Sequence, residues 1–184
     1  MKRHASRSYG VNTTYFLTTT VTAFRCLFHI PELAEILVAS INFSREKFEV
    51  FIHAFVIMPN HFHLLLTVGE KWNVSEFMGG IKSFTSREVI KWCRNHRKLH
   101  LLELFQASAK MYKPSHKYQV WQERFDHLVV ENENAFGEFF EYIHLNPLQE
   151  HWKLASSPEE YHLSSAGYYF LGKEPVIPIT PIES

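Results

Sequence analysis

The chain has 184 residues, 19 Lys+Arg, 19 Asp+Glu and a formal net charge of +0, with 46% apolar and 15% aromatic residues. That length predicts one domain able to bury a core without staples, and the composition excludes global disorder. The longest apolar run, residues 54–58, is far too short to span a bilayer, and no apolar stretch follows the basic residues 1–7, so the sequence reads as a soluble cytoplasmic protein.

The elements follow in chain order. Residues 15–21 are β-branched and aromatic and predict a strand. Pro31 suits a first helical turn, and Leu33, Ile36, Leu37 and Ile41 recur at helical spacing after it. Residues 48–58 form a β-type run, Pro59-Asn60 breaks it, and residues 61–68 resume it as the second arm of a hairpin. Asn73 with Glu76 three residues on is a capping box. Phe77, Ile81 and Phe84 make the apolar stripe of the helix it starts, which runs to about Asn95. Gly79-Gly80 weakens that helix by about 1 kcal/mol per glycine. A polar, basic connection over residues 96–118 carries a short helix near residues 99–109. Residues 120–121 and 125–130 predict another strand region. Asn132 caps a last long helix with Ala135, Phe136, Phe139, Phe140 and Ile143 on one face. Pro147 should end or bend it, because proline disfavours the α region for the residue before it. Pro175, Pro178 and Pro181 make the final stretch an extended tail.

The order strand, helix, strand, strand, helix, strand, helix fits an α+β, ferredoxin-like split βαβ sandwich. It has an antiparallel sheet with helices on one face and a C-terminal helix as an addition. We read residues 1–170 as one domain and residues 171–184 as its tail.

The zero net charge hides a segregation. Residues 81–117 hold nine basic and two acidic side chains, a net +7, while residues 120–162 hold two basic and nine acidic ones, a net −7. A basic stretch interleaved with Phe84, Trp92, Phe105 and Tyr112 can follow a phosphate backbone, or it can be a solvated face opposite an acidic segment of the same fold.

His61-Phe-His63 is the sharpest chemical feature. On a strand, residues i and i+2 share a face, so both imidazoles project together while Phe62 turns to the opposite one. Such a pair can share one divalent metal, though a chain with 12 histidines also produces pairs by chance. Cys26 and Cys93 offer no disulfide framework, and with no cysteine ligand at hand a closed structural zinc site is not expected. Tyr142 and Asn146 lie one above the other at i,i+4 on the last helix. Either can equally be a core-edge tyrosine or a helix-terminal cap.

Together, Met58-Pro-Asn-His-Phe-His-Leu-Leu65 and Tyr142-Ile-His-Leu-Asn-Pro147 resemble the single-tyrosine HUH transposases, and more narrowly the REP-associated tyrosine transposases. Tyr15-Phe-Leu-Thr-Thr with Arg25 and Phe28, Ile81-Lys-Ser83, Val120-Trp-Gln-Glu-Arg-Phe125 and Ser164-Ser-Ala-Gly-Tyr168 extend the resemblance over residues 13 to 169. The resemblance implies that His61, His63 and Asn146 hold Mg²⁺ or Mn²⁺ and that Tyr142 is the nucleophile. The reaction it implies is cleavage and rejoining of single-stranded or hairpin DNA through a 5′-phosphotyrosine, as in DNA transposition or REP-element processing. It makes Lys82, Arg87, Lys91 and Arg94 candidate phosphate contacts. The partner is DNA, with no membrane, and the protein acts as a monomer or homodimer. Leu148-Gln-Glu-His-Trp152 departs from the family, which often has a basic residue where Gln149 stands.

Two other readings compete. One is a DNA- or RNA-binding module of the same fold without catalysis, against which the full His61, His63 and Tyr142 set counts. The other is a replication initiator or relaxase of the wider HUH group. Relaxases usually carry the tyrosine before the histidine pair, whereas Tyr142 lies 79 residues after His63.

Overall fold

The computed structural model describes residues 13–69, 71–112 and 114–181. The basic residues 1–7, Lys113 and the last three residues of the tail lie outside the described residues. Four strands, β1 (Thr13–Thr20), β2 (Val50–Met58), β3 (His61–Val68) and β4 (Asp126–Val129), form one antiparallel sheet in the order β2-β3-β1-β4. That order is the one expected of a split βαβ sandwich.

The first core face of the sheet presents Leu17, Phe55, Ile57, Phe62, Leu64 and Leu66. Helices α1 (Pro31–Lys47) and α2 (Val74–Asn95) cover it, with Leu33, Leu37 and Ile41 from one and Phe77, Met78 and Ile81 from the other. The Asn73 side chain accepts from the Ser75 and Glu76 amides, and Glu76 reaches back to the Asn73 amide, so the capping box is complete. Gly80 has a packing reason inside this helix. A Cβ there would meet the Phe48 ring at 3.0 Å, so the glycine lets α1 and α2 approach. Phe84 is a correction to the predicted stripe. It stands 39% exposed, and Thr85, Val89, Ile90 and Cys93 carry the buried face onward.

Helix α3 (Leu99–Tyr112) follows and packs Leu101 and Phe105 onto the same core. Trp121 closes this layer between Phe28 and Phe62, and its indole N–H donates to Thr85 Oγ1 at 2.8 Å. Helix α4 (Glu133–Leu145), N-capped by Asn132, lies across the opposite face of the sheet. Phe16, Ala54, Val56, Met58 and Leu65 form the floor there, with Ile143 buried against them. A bulge between Ile52 and Ala54 makes this possible, switching the face on which consecutive β2 residues fall.

The outer edge of β2 is covered rather than open. The Ile57 amide donates to Leu163 O and the Thr180 amide to Ile52 O, each at 2.8 Å. The short helix α5 (Ala166–Leu171) lies between these two contacts in sequence. The final stretch is thus extended but docked as far as Thr180. Asn42 Nδ2 donates to Val176 O, Ile177 is fully buried, and His53 Nδ1 donates to Thr180 O. No helix among the described residues is long and apolar enough to cross a membrane.

Candidate active site

The two-residue repeat of β3 sends Phe62 into the first core and turns His61 and His63 to the α4 side. Helix α4 then delivers Tyr142 to the pair within the same chain. The His63 and Tyr142 ring centroids are 5.2 Å apart at 75°, and those of His61 and His63 are 4.8 Å apart at 80°. Phe16 forms the wall behind them, stacked on His63 at 5.3 Å and on Phe139 at 4.5 Å. Tyr142 is 42% exposed, and its hydroxyl has no hydrogen-bond partner among the described residues.

One turn further on, Asn146 is buried against both imidazoles. Its Nδ2 lies 3.4 Å from His63 Nε2. Asn146 keeps helical angles of φ −54° and ψ −43° although Pro147 follows, a combination that the proline ring disfavours. The turn completes as a 3-10 helix, Asn146–Leu148, with the Gln149 amide donating to Asn146 O.

The hydrogen bonds settle where the imidazole protons sit. Asn60 Nδ2 donates to Phe24 O, so Asn60 Oδ1 accepts from His61 Nδ1–H at 2.6 Å. With Asn146 Nδ2–H directed at His63 Nε2, His63 Nδ1–H donates to Thr18 Oγ1 at 2.7 Å. The His63 Nε2 lone pair thus faces Asn146 Nδ2, and His61 Nε2 carries the lone pair of its ring. Burial pushes His63 down to about 3, helped by the neighbouring His61. It pushes His61 down to about 4, with Asn146 opposing and His151 adding to the fall. Both rings are therefore neutral at neutral pH, the form that ligates metal. Asn146 Oδ1 is buried with no hydrogen-bond partner. With the Asn146 amide turned away from His63 Nε2, two imidazole nitrogens and this orphaned amide oxygen would make a neutral N₂O donor set that suits a divalent cation. No group of three or more His, Cys, Asp or Glu able to hold a metal occurs among the described residues. The protein thus offers a cation no negative charge here.

The four basic residues read from the sequence are not brought to this cluster. All lie on α2, in the layer behind the sheet. Arg87, Lys91 and Arg94 are exposed, with Arg87 over the Phe84 ring, Lys91 near Glu88 and Arg94 over the Tyr118 ring. The Lys82 ammonium donates to the carbonyls of Gln122, Glu123 and Arg124, at 2.6 Å for the first. It fastens the loop that leads into β4.

Four residues that position the site escaped the sequence reading. Thr18 and Asn60 orient the two imidazoles. His144, two residues past Tyr142, is buried and shares a 2.7 Å hydrogen bond with Ser165 Oγ, which also accepts from the Phe55 amide at 3.0 Å. The Tyr142–Pro147 and Ser164–Tyr168 motifs thus meet here, and the meeting point pins α4 to β2. We expect Ser165→Ala to cost about 2–3 kcal/mol, since it leaves the Phe55 amide and both His144 nitrogens unpaired in the interior. Urea unfolding checks this, and a loss under 0.5 kcal/mol would refute the pin.

A neutral His pair, an amide and a tyrosine thus converge on one face of a mixed sheet-and-helix scaffold and define the candidate site. Residues 12–113 match the model of the IS200-like transposase family, more than half of the chain, and the chain belongs to that family. The matched stretch contains the His61/His63 pair and ends before Tyr142. A solved structure of a REP-associated tyrosine transposase bound to a REP hairpin superposes with TM-score 0.67 at 19% identity, over 100% of this chain and 94% of that one. The two share the fold. A transposase structure from Deinococcus radiodurans aligns at 20% identity and TM-score 0.45, over 78% of this chain and 95% of that one. No curated protein matches the chain.

Proposed function

We propose that this transposase cleaves and rejoins single-stranded or hairpin DNA with Tyr142 as nucleophile. The observation that carries the reading is the convergence, in one chain, of an exposed tyrosine with two neutral imidazoles whose Nδ1 atoms are held by Thr18 and Asn60. Tyr142 Oη attacks the scissile phosphorus, an O–P bond forms, and the bond from phosphorus to O3′ breaks. The products are a 5′-phosphotyrosine and a 3′-OH. One phosphodiester replaces another, so the reverse attack by a 3′-OH rejoins strands without ATP.

His61, His63 and Asn146 would hold Mg²⁺ or Mn²⁺. When bound, such an ion offsets charge on the phosphate oxygens and orients the phosphate. Thr18 and Asn60 fix the imidazoles that hold it, and outer partners of this kind change metal affinity by about 10- to 100-fold. Thr18→Val should accordingly weaken Mn²⁺ binding by that factor in a calorimetric titration, and unchanged affinity would refute its role.

The site lies within reach of a tyrosine from its own chain, which supports action as a monomer without an exchanged helix. In this reading residues 1–170 are the catalytic unit, residues 171–184 its tail, and the substrate is cytoplasmic DNA. Arg87, Lys91 and Arg94 would contact phosphates of DNA that passes around the α2 layer, with Lys82 acting through the loop it holds.

The test is covalent trapping. Wild-type protein incubated with Mn²⁺ and hairpin oligonucleotides bearing single-stranded flanks should give an SDS-resistant protein–DNA adduct, and EDTA should abolish it. Absence of an adduct across a varied hairpin set would refute the reading.

A further inference from the structure

The groove between residues 22–30 and the α2–α3 junction has no part in the site above. It encloses about 410 Å³ and is lined by Phe24, Arg25, His29, Trp92, Lys98 and His100 among others, with no carboxylate in its wall. Neither Arg25 nor Lys98 has a carboxylate partner among the described residues. Lys98 Nζ sits over the Trp92 ring at 5.9 Å. The backbone here is unusual. Ala23 and Phe24 hold φ of 51° and 52°, a left-handed conformation rare for residues with side chains, and the Phe24 ring stands 67% exposed. Strain of this kind collects at binding sites.

The groove is joined to the candidate active site through one side chain. Asn60 Nδ2 donates to Phe24 O while Asn60 Oδ1 accepts from His61 Nδ1–H. The Leu27 and Phe28 amides both donate to Pro59 O, at 2.8 and 2.9 Å, so the groove wall is fastened to the β2–β3 turn. Phe24 is thus the groove residue bonded to the side chain that holds His61.

We propose that this groove is a subsite for single-stranded DNA flanking the scissile phosphate, with a base stacked on Phe24 and the backbone phosphates met by Arg25 and Lys98. Exposed aromatic faces hold bases with little regard to sequence, and cations beside them hold the intervening phosphates. Residues 120–162, on which Tyr142 lies, carry a net charge of −7 and so favour a phosphate backbone less than this groove does. This inference rests on the DNA-cleaving reading, and its test separates the two.

Binding is measured by fluorescence anisotropy with a DNA hairpin carrying a single-stranded flank of about ten nucleotides on either side, and with the same hairpin blunt-ended. Phe24→Ala should weaken flanked hairpins about tenfold and leave the blunt one unchanged. Arg25→Ala and Lys98→Ala should each lower the salt slope of log K for the flanked hairpin by about 0.7. A flank carrying 5-iodouracil should photocrosslink to a peptide containing Phe24, and should do so equally in Tyr142→Phe. Crosslinking there without any covalent adduct in wild type would spare the groove and refute the nucleophile; an adduct without groove crosslinks would do the reverse. Equal affinity of wild type and Phe24→Ala for flanked hairpins, or tighter binding of the same flank as RNA, overturns the proposal.

Discussion

Tyr142→Phe should abolish strand cleavage, by at least about 10⁴-fold, while leaving hairpin binding within twofold and thermal stability unchanged. Only one oxygen is removed, and its loss strands nothing, because the Tyr142 hydroxyl has no partner among the described residues and the ring is 42% exposed. The ring itself keeps its edge contacts with Phe16 and His63. Phosphoryl transfer leaves the protein little to do beyond positioning a nucleophile and stabilising charge, so losing the nucleophile leaves no alternative route of comparable rate. A gel assay on a 3′-labelled hairpin reads cleavage, and anisotropy reads binding. Residual cleavage within tenfold of wild type would place the nucleophile elsewhere.

The second large effect is loss of stability in acid. Burial lowers His61 to about 4, His63 to about 3 and His144 to about 4, from an ordinary value of 6.5. The fold therefore holds these rings neutral. Below pH 6.5 the unfolded chain takes up protons that the folded chain refuses, so stability falls as pH falls. The loss runs from about pH 6.5 down to about pH 4 for His61 and His144 and to about pH 3 for His63, and vanishes as a slope once the folded rings also protonate. Each ring contributes up to about 1.4 kcal/mol per pH unit. Three together can remove several kcal/mol by pH 5, a large share of the roughly 5–15 kcal/mol that holds a domain of ordinary stability. Melting temperatures across pH 7.5 to 4.5, without metal, check this. A flat profile would mean that the rings are not held neutral. His144→Gln should flatten the profile by one ring's share.

What the sequence made legible was local. The Pro59-Asn60 break and the Asn73/Glu76 box lie within the elements they punctuate, and β3 and α2 begin where these signals place them. The two-residue period of a strand sufficed to put both histidines on one face. Phe84 was misplaced because a stripe read every third or fourth residue leaves its choice of side to whatever packs against it, and Thr85 met Trp121 instead. Charge counting found a basic segment but could not say that α2 lies behind the sheet, away from the histidine pair. The orienting contacts Thr18–His63, His144–Ser165 and Lys82–Gln122 join residues 45, 21 and 40 positions apart. Nothing short-range announces them. Asn60 was read as a turn residue and is one, yet its side chain also sets a tautomer.

The central claim is that Tyr142 becomes covalently bonded to DNA. The most direct measurement is mass spectrometry of the adduct after proteolysis and nuclease trimming. The account expects a phosphonucleotide on Tyr142, linked through the 5′-phosphate of the downstream strand. A label on any other residue, or a linkage through a 3′-phosphate, would contradict it.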